Sequence, residues 1–282
     1  MVSLRFPLLF FEPARQPSKT PSNATFAAIT IAASAAGAAF AGIAATQNPK
    51  HPFVKNALKL LFPNHPSPLW GSLSLADNSA SLVEPKSGAS FPSVLADSKK
   101  LVGVGLRKKS VFGLKNIDVY AFGVYADADD VKKFLSEKYG DQSVEELKGN
   151  NELSEDLMEA DIRMTVRLQI VYSKLSIRSV RSAFEDSVGS RLQKFGGSDN
   201  KGLLQRFASQ FKDEYKIPRG SLIDLSRERG HVLCTTIDGK EVGSIQSKVL
   251  CRSLFDLYIG ESPFDRQAKE DVQFNVASLL QK

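Results

Sequence analysis

The clearest periodicity in the chain lies at residues 163–170, where Met164, Val166, Leu168 and Ile170 alternate with Arg163, Thr165, Arg167 and Gln169. A period of two with one polar face predicts a strand in a sheet buried on one side and wetted on the other. Two β-rich runs precede it, residues 101–112 and 114–126, and Gly113 between them predicts an antiparallel pair. Asp129 or Asp130 is placed to cap a helix carrying Val131, Phe134 and Leu135, while residues 140–157 are acidic and read as a short helix with exposed loop. After the central strand the period changes to that of a helix. Ser176 caps a run that sets Ile177, Val180, Phe184, Val188 and Leu192 on one face and ends at Gly196-Gly197. Asp199 or Asn200 opens another through Leu203, Leu204, Phe207 and Phe211. Residues 222–227, 231–237 and 241–245 read as strands, the last two joined by the hairpin dipeptide Asp238-Gly239. A helix through Val249, Leu250, Leu254 and Leu257 is stopped by Gly260, and Ser262-Pro263 opens a last helix ending at Leu280. This order predicts one α+β domain, an antiparallel sheet with helices layered on one face.

The pattern starts only at about Phe91. From Met1 to Leu75 the sole acid is Glu12, against a background of Ser, Thr, Ala and scattered Lys and Arg. Such composition reads as an organelle transit peptide, of plastid type, and not as fold. The uncharged run at residues 26–46 is long enough to span a membrane. Its five strongly apolar members supply only about −1.5 to −3 kcal/mol before its polar residues subtract. A weak anchor or a mitochondrial address are the alternatives to a leader that is cleaved. The expected organisation is a transit peptide with linker over residues 1–75, a flexible linker over 76–94, and one folded domain over 95–282. Location in the chloroplast stroma, without stable membrane insertion after cleavage, follows as an expectation.

Charge removes one class of partner. The whole chain carries +6, but residues 1–90 hold +4 of it. A folded part this close to neutral gives no electrostatic case for nucleic acid. Only His231 and the thiols Cys234 and Cys251 lie in the folded region, too few for a zinc site or a Ser-His-Asp triad, so no metal and no cofactor is expected. Cys234, mid-strand, reads as a small buried hydrophobe. Gly103 and Gly105 match the start of a dinucleotide loop, but no third glycine or helix follows.

The run from Val102 to Tyr125, which holds Gly103, Gly105, Arg107 and the element Gly123-Val124-Tyr125, resembles the opening strands of the chalcone isomerase fold. The strand at residues 164–171 running into the Ser176 helix is similar to that family's next segment, and residues 247–260 resemble its penultimate helix. The resemblance covers roughly residues 95–282 and implies an open-faced β-sandwich with a ligand cleft between sheet and helices. It implies that Arg107 is the strand arginine that favours an oxyanion in the enzymes. Tyr120 stands where the isomerases place a threonine, and Ser176, Ser179 and Ala183 stand where they place a tyrosine, a lysine and an asparagine. The resemblance thus implies a binder with no catalytic residue, similar to the family's fatty-acid-binding branch.

The chemistry is coherent with that expectation. Arginine offers a permanently charged fork and tyrosine a neutral donor, a suitable pair for the carboxylate of a free fatty acid. Burying ten to twelve methylenes at about 0.8 kcal/mol each gives about 8 to 10 kcal/mol before association costs. Phe122 shares Tyr120's strand face and is the candidate for the cleft wall. Two other readings stay open, a chalcone isomerase and a non-catalytic flavonoid-binding helper. A solvated basic edge at Arg107, Lys108 and Lys109 is the plain alternative for the arginine.

Overall fold

A short hairpin, β1 (Ser81–Val83) and β2 (Ser90–Pro92), precedes a six-stranded antiparallel sheet in the computed structural model. The strands lie side by side in chain order: β3 (Lys100–Val111), β4 (Lys115–Ala126), β5 (Met164–Ile170), β6 (Leu222–Glu228), β7 (Val232–Ile237) and β8 (Lys240–Gln246). Helices α1 (Ala128–Tyr139), α2 (Val144–Leu147) and α3 (Asn151–Glu159) join β4 to β5. Helices α4 (Ile177–Gly196) and α5 (Lys201–Ala208) join β5 to β6, and α6 (Lys248–Ile259) and α7 (Arg266–Leu280) follow β8. The structure describes residues 80–95, 98–111, 115–197 and 199–281. The leader, residues 26–46 and the Gly113 turn therefore lie outside the described residues.

Local chemistry accounts for the element boundaries. On β5, Met164, Val166, Leu168 and Ile170 are buried against the helices. The alternate residues build a polar row on the other face, where Arg167 pairs with Asp224 through two hydrogen bonds of 2.8 Å and Thr165 meets Ser226 at 2.8 Å. The β7–β8 turn has positive φ at both Asp238 (48°) and Gly239 (79°), the backbone that the Asp-Gly pair predicts. Helix α1 is capped by Asp127, not by Asp129 or Asp130. The Asp127 carboxylate accepts from both of their amides, while Asp130 turns away to Arg163 and Arg229. Helix α7 begins at Arg266, later than Ser262-Pro263 suggests, because Asp265 is the residue that accepts from the Gln267 and Ala268 amides. Its second carboxylate oxygen accepts from the Leu106 amide at 3.1 Å, which fastens the start of α7 to β3.

Two sequence expectations change. Residues 76–94 are expected to be a flexible linker, but their described part contains the β1–β2 hairpin, and Phe91 is fully buried. Phe91 packs with Leu106, Ala121 and Tyr125 on the sheet face away from the helices, and the Tyr125 hydroxyl donates to the Pro92 carbonyl at 3.0 Å. Three-residue strands fall below the length at which alternation is visible. Cys234 lies half-buried on the polar face, whereas Cys251 is the buried thiol; both are free.

Gly103 and Gly105 are packing residues. A Cβ at Gly103 would lie 2.6 Å from Val272, and one at Gly105 would lie 2.7 Å from Ala268. Their bareness lets α7 lie directly on β3, which stations the loop before α7 next to the far half of that strand. Among the described residues no helix is long and apolar enough to cross a membrane.

Candidate functional site

Register decides where the two polar candidates meet. Arg107 on β3 sits directly opposite Tyr120 on β4, so both side chains share the helix-facing side of the sheet. The pairing shifts between Arg107 and Lys108, a bulge at the edge of the site. Gly105 and Phe122 are the next pair inward, beneath α7. Arg107 is thus the first side chain on its face of β3 that α7 leaves uncovered.

The guanidinium is half-buried and rests on an aromatic ring. Its central carbon lies 3.7 Å above the ring of Phe264, in the loop between α6 and α7. The Phe264 amide donates to the Leu257 carbonyl at 2.8 Å, so the end of α6 holds that ring in place. Stacking on an aromatic face stabilises the cation without using any of its five N–H donors. Among the described residues no carboxylate pairs with Arg107. A half-buried arginine with its hydrogen-bonding fork unspent is arranged to receive an anion.

Arg107 and Tyr120 open onto a cavity of about 680 Å³, within the usual range for small-molecule sites. Ile117, Val119 and Tyr120 form its sheet wall; Val180, Ala183 and Phe184 of α4 form the opposite wall. Tyr172, Lys174 and Leu175, in the β5–α4 loop, and Phe264 close the ends. Lys109, Lys174 and Asp186 stand at the exposed rim. The chamber is therefore mostly apolar in its walls, with Ser110, Ser179 and Ser187 among them, and cations outnumber Asp186 at its polar end. A second depression of about 620 Å³ lies beyond Leu175. Its Arg178 and Asp213 are paired with each other at 2.7 Å, and Lys216 lines it as well.

Tyr120 is almost wholly buried, and its hydroxyl lies 3.3 Å from that of Tyr258 on α6. Burial pushes the Tyr120 phenol up to about 12 and raises Tyr258 well above its ordinary value, with Arg107 opposing both. Both hydroxyls therefore keep their protons through the neutral range. The Tyr258 ring is held edge-on by Phe122 at 5.0 Å and by Phe264 at 5.5 Å.

Arg107 and Tyr120 thus stand together at the cavity. Phe122 lies one pair deeper, fully buried behind Tyr258, and is not among the lining residues. Of the helix positions, Ser179 and Ala183 line the wall, while Ser176 accepts from the Ser179 amide at 3.1 Å as the cap of α4. Sequence reasoning missed Phe264 and Tyr258. Tyr258 lies within the segment at residues 247–260 that carries the family resemblance, but its pattern marks it only as core.

Comparison with known proteins places these features in context. A family model described as "Chalcone isomerase like" matches residues 97–273. The chain is 58% identical over 281 residues to "Fatty-acid-binding protein 1" of Arabidopsis thaliana, covering 99% of both chains. It is 34% identical to "Chalcone isomerase-like protein 1" of Humulus lupulus over 74% of this chain and 97% of that one. The crystal structure of an Arabidopsis thaliana fatty-acid binding protein superposes with a TM-score of 0.69 at 64% identity, covering 72% of this chain and all of that one.

Proposed function

The chain belongs to the chalcone isomerase-like family, and on that premise we propose that it binds free fatty acids without transforming them. The carboxylate is held by Arg107 and Tyr120, and the acyl chain runs between the sheet and α4. One observation carries this reading: an arginine without a carboxylate partner heads a cavity whose walls are mostly apolar. Similarity to fatty-acid-binding protein 1 of Arabidopsis thaliana, in sequence and in its solved structure, supports it. The wall at Ser179 and Ala183 supports the absence of catalysis. Neither residue supplies the lysine or asparagine that the resemblance to the isomerases calls for there, and orientation supplies about 7 to 11 kcal/mol of such barriers.

Native mass spectrometry of the purified full-length chain tests the reading. A mass addition equal to a fatty acid, exchangeable for added laurate, is the expected result. A chain that carries no lipid and takes up no laurate at micromolar concentration overturns it. The same protein added to a chalcone should give no loss of absorbance above the spontaneous rate. Turnover on the order of 1 per second or more would make it an enzyme.

The acid-poor leader supports a plastid location, where such a binder would influence fatty-acid pools. A full-length fluorescent fusion should fill the stroma. Fluorescence retained in carbonate-washed membranes would favour an anchor at residues 26–46 instead.

A further inference from the structure

Among the described residues, the hydroxyls of Tyr120 and Tyr258 are each other's only hydrogen-bond partner, 3.3 Å apart. Two hydroxyls that share one bond leave one proton over. If Tyr120 donates, the spare proton sits on Tyr258, which is fully buried and does not line the cavity. That arrangement strands a buried donor with no acceptor. If Tyr258 donates, the spare proton sits on Tyr120, which does line the cavity. Burial therefore selects the second direction.

We infer that Tyr258 is a positioning residue that fixes the Tyr120 hydroxyl as a donor aimed into the cavity, so that the site selects headgroups that only accept hydrogen bonds. A carboxylate meets that requirement. A primary alcohol, which can donate as readily as accept, gains nothing from the fixed direction. The relay also strengthens the clamp, because a hydroxyl that accepts one bond is polarised toward donating the next. Arg107, stacked on the same Phe264 ring that packs against Tyr258, supplies the charge on the other side. The inference rests on the fatty-acid reading and extends it from the ligand's charge to its hydrogen-bonding sense.

Titration of the full chain with laurate and with dodecanol, in the wild type and Tyr258→Phe, tests it. The substitution keeps the ring between Phe122 and Phe264 and removes only the hydroxyl. Laurate affinity should fall about five- to ten-fold, with dodecanol affinity within about twofold, which also shows that the variant is folded. In a Tyr120→Phe background the second substitution should change laurate binding no further, because the relay has lost its end. The carboxyl carbon signal of labelled laurate should shift between wild type and Tyr258→Phe. Equal losses for laurate and dodecanol, an unchanged laurate affinity, or a loss that persists in the Tyr120→Phe background each overturn the relay. A wild type that binds no laurate removes the fatty-acid reading and the relay with it. A wild type that binds while Tyr258→Phe binds equally removes the relay alone.

Discussion

Arg107 and Arg227 both lie over an aromatic ring, the first half-buried and the second fully buried, and they do opposite things. Arg227, on β6, is fully buried, 5.0 Å from the Phe255 ring. Its three nitrogens donate to the carbonyls of Leu157, Met158 and Ile162 at 2.7 to 2.9 Å. Those carbonyls belong to the end of α3 and the turn beyond it, where the helix carries partial negative charge and unspent acceptors. Burial pushes the guanidinium down to about 10, so it stays charged at neutral pH. Every nitrogen of Arg227 is used by the fold. Arg107 has its ring, Phe264, but no carboxylate, and it faces a cavity. The difference teaches that an arginine's role is read from its unspent donors, not from its burial or its aromatic neighbour.

The largest expected effects come from exchanging the two losses. Arg227→Met should destabilise by about 3 to 5 kcal/mol, since three buried carbonyls lose their donor. Chemical denaturation would show it, and a loss under about 1 kcal/mol would break the comparison. Arg107→Gln should leave stability within about 0.5 kcal/mol while costing about 2 to 5 kcal/mol of laurate affinity. Tyr120→Phe, which removes one neutral donor to a charged group, should cost less, about 1.5 to 3 kcal/mol of affinity. An affinity loss as large as that of Arg107→Gln would make the tyrosine, not the guanidinium, the main anchor.

Alkali should have the smallest effect on binding. Tyr120 keeps its proton until about 12, so laurate affinity should vary less than about twofold between pH 7 and 10. Stability behaves differently above that range. The unfolded chain releases phenolic protons near 10, whereas the folded Tyr120 and Tyr139 hold theirs to about 12. The unfolded state thus binds fewer protons across that interval, and the folded state should lose stability as pH rises through it. Binding that fades already between pH 8 and 9 would point to a headgroup contact other than this tyrosine.

The sheet was legible in the chain because it rests on short-range regularity. Period-two alternation on β5, the Asp238-Gly239 turn and the Ser176 cap are local signals, and each appears where the pattern places it. Family resemblance named Arg107 and Tyr120; their cross-strand pairing is a matter of register, which Gly113 suggests but does not specify. What escaped depends on distant chain. Phe91 is recognisable as core only once Tyr125 and Leu106 are placed over it. The stacking of Phe264 beneath Arg107 joins residues from β3 and the α6–α7 loop. Tyr258 looks like one more apolar position on α6 until its hydroxyl is found against Tyr120. Phe122 failed as a wall residue because strand alternation gives the face but not the depth at which a helix covers it.

The central claim is that the unspent guanidinium of Arg107 recognises an acyl carboxylate. Its most direct test is the ratio of laurate to dodecanol affinity in the wild type and in Arg107→Gln, both shown to be folded. The two ligands share the same twelve-carbon skeleton and differ only at its terminal carbon, the headgroup. The wild type should favour laurate by at least about thirtyfold, the equivalent of about 2 kcal/mol, and the ratio should collapse toward one in the variant. If laurate binds both proteins equally well, the carboxylate lies elsewhere and Arg107 is only part of a solvated basic edge.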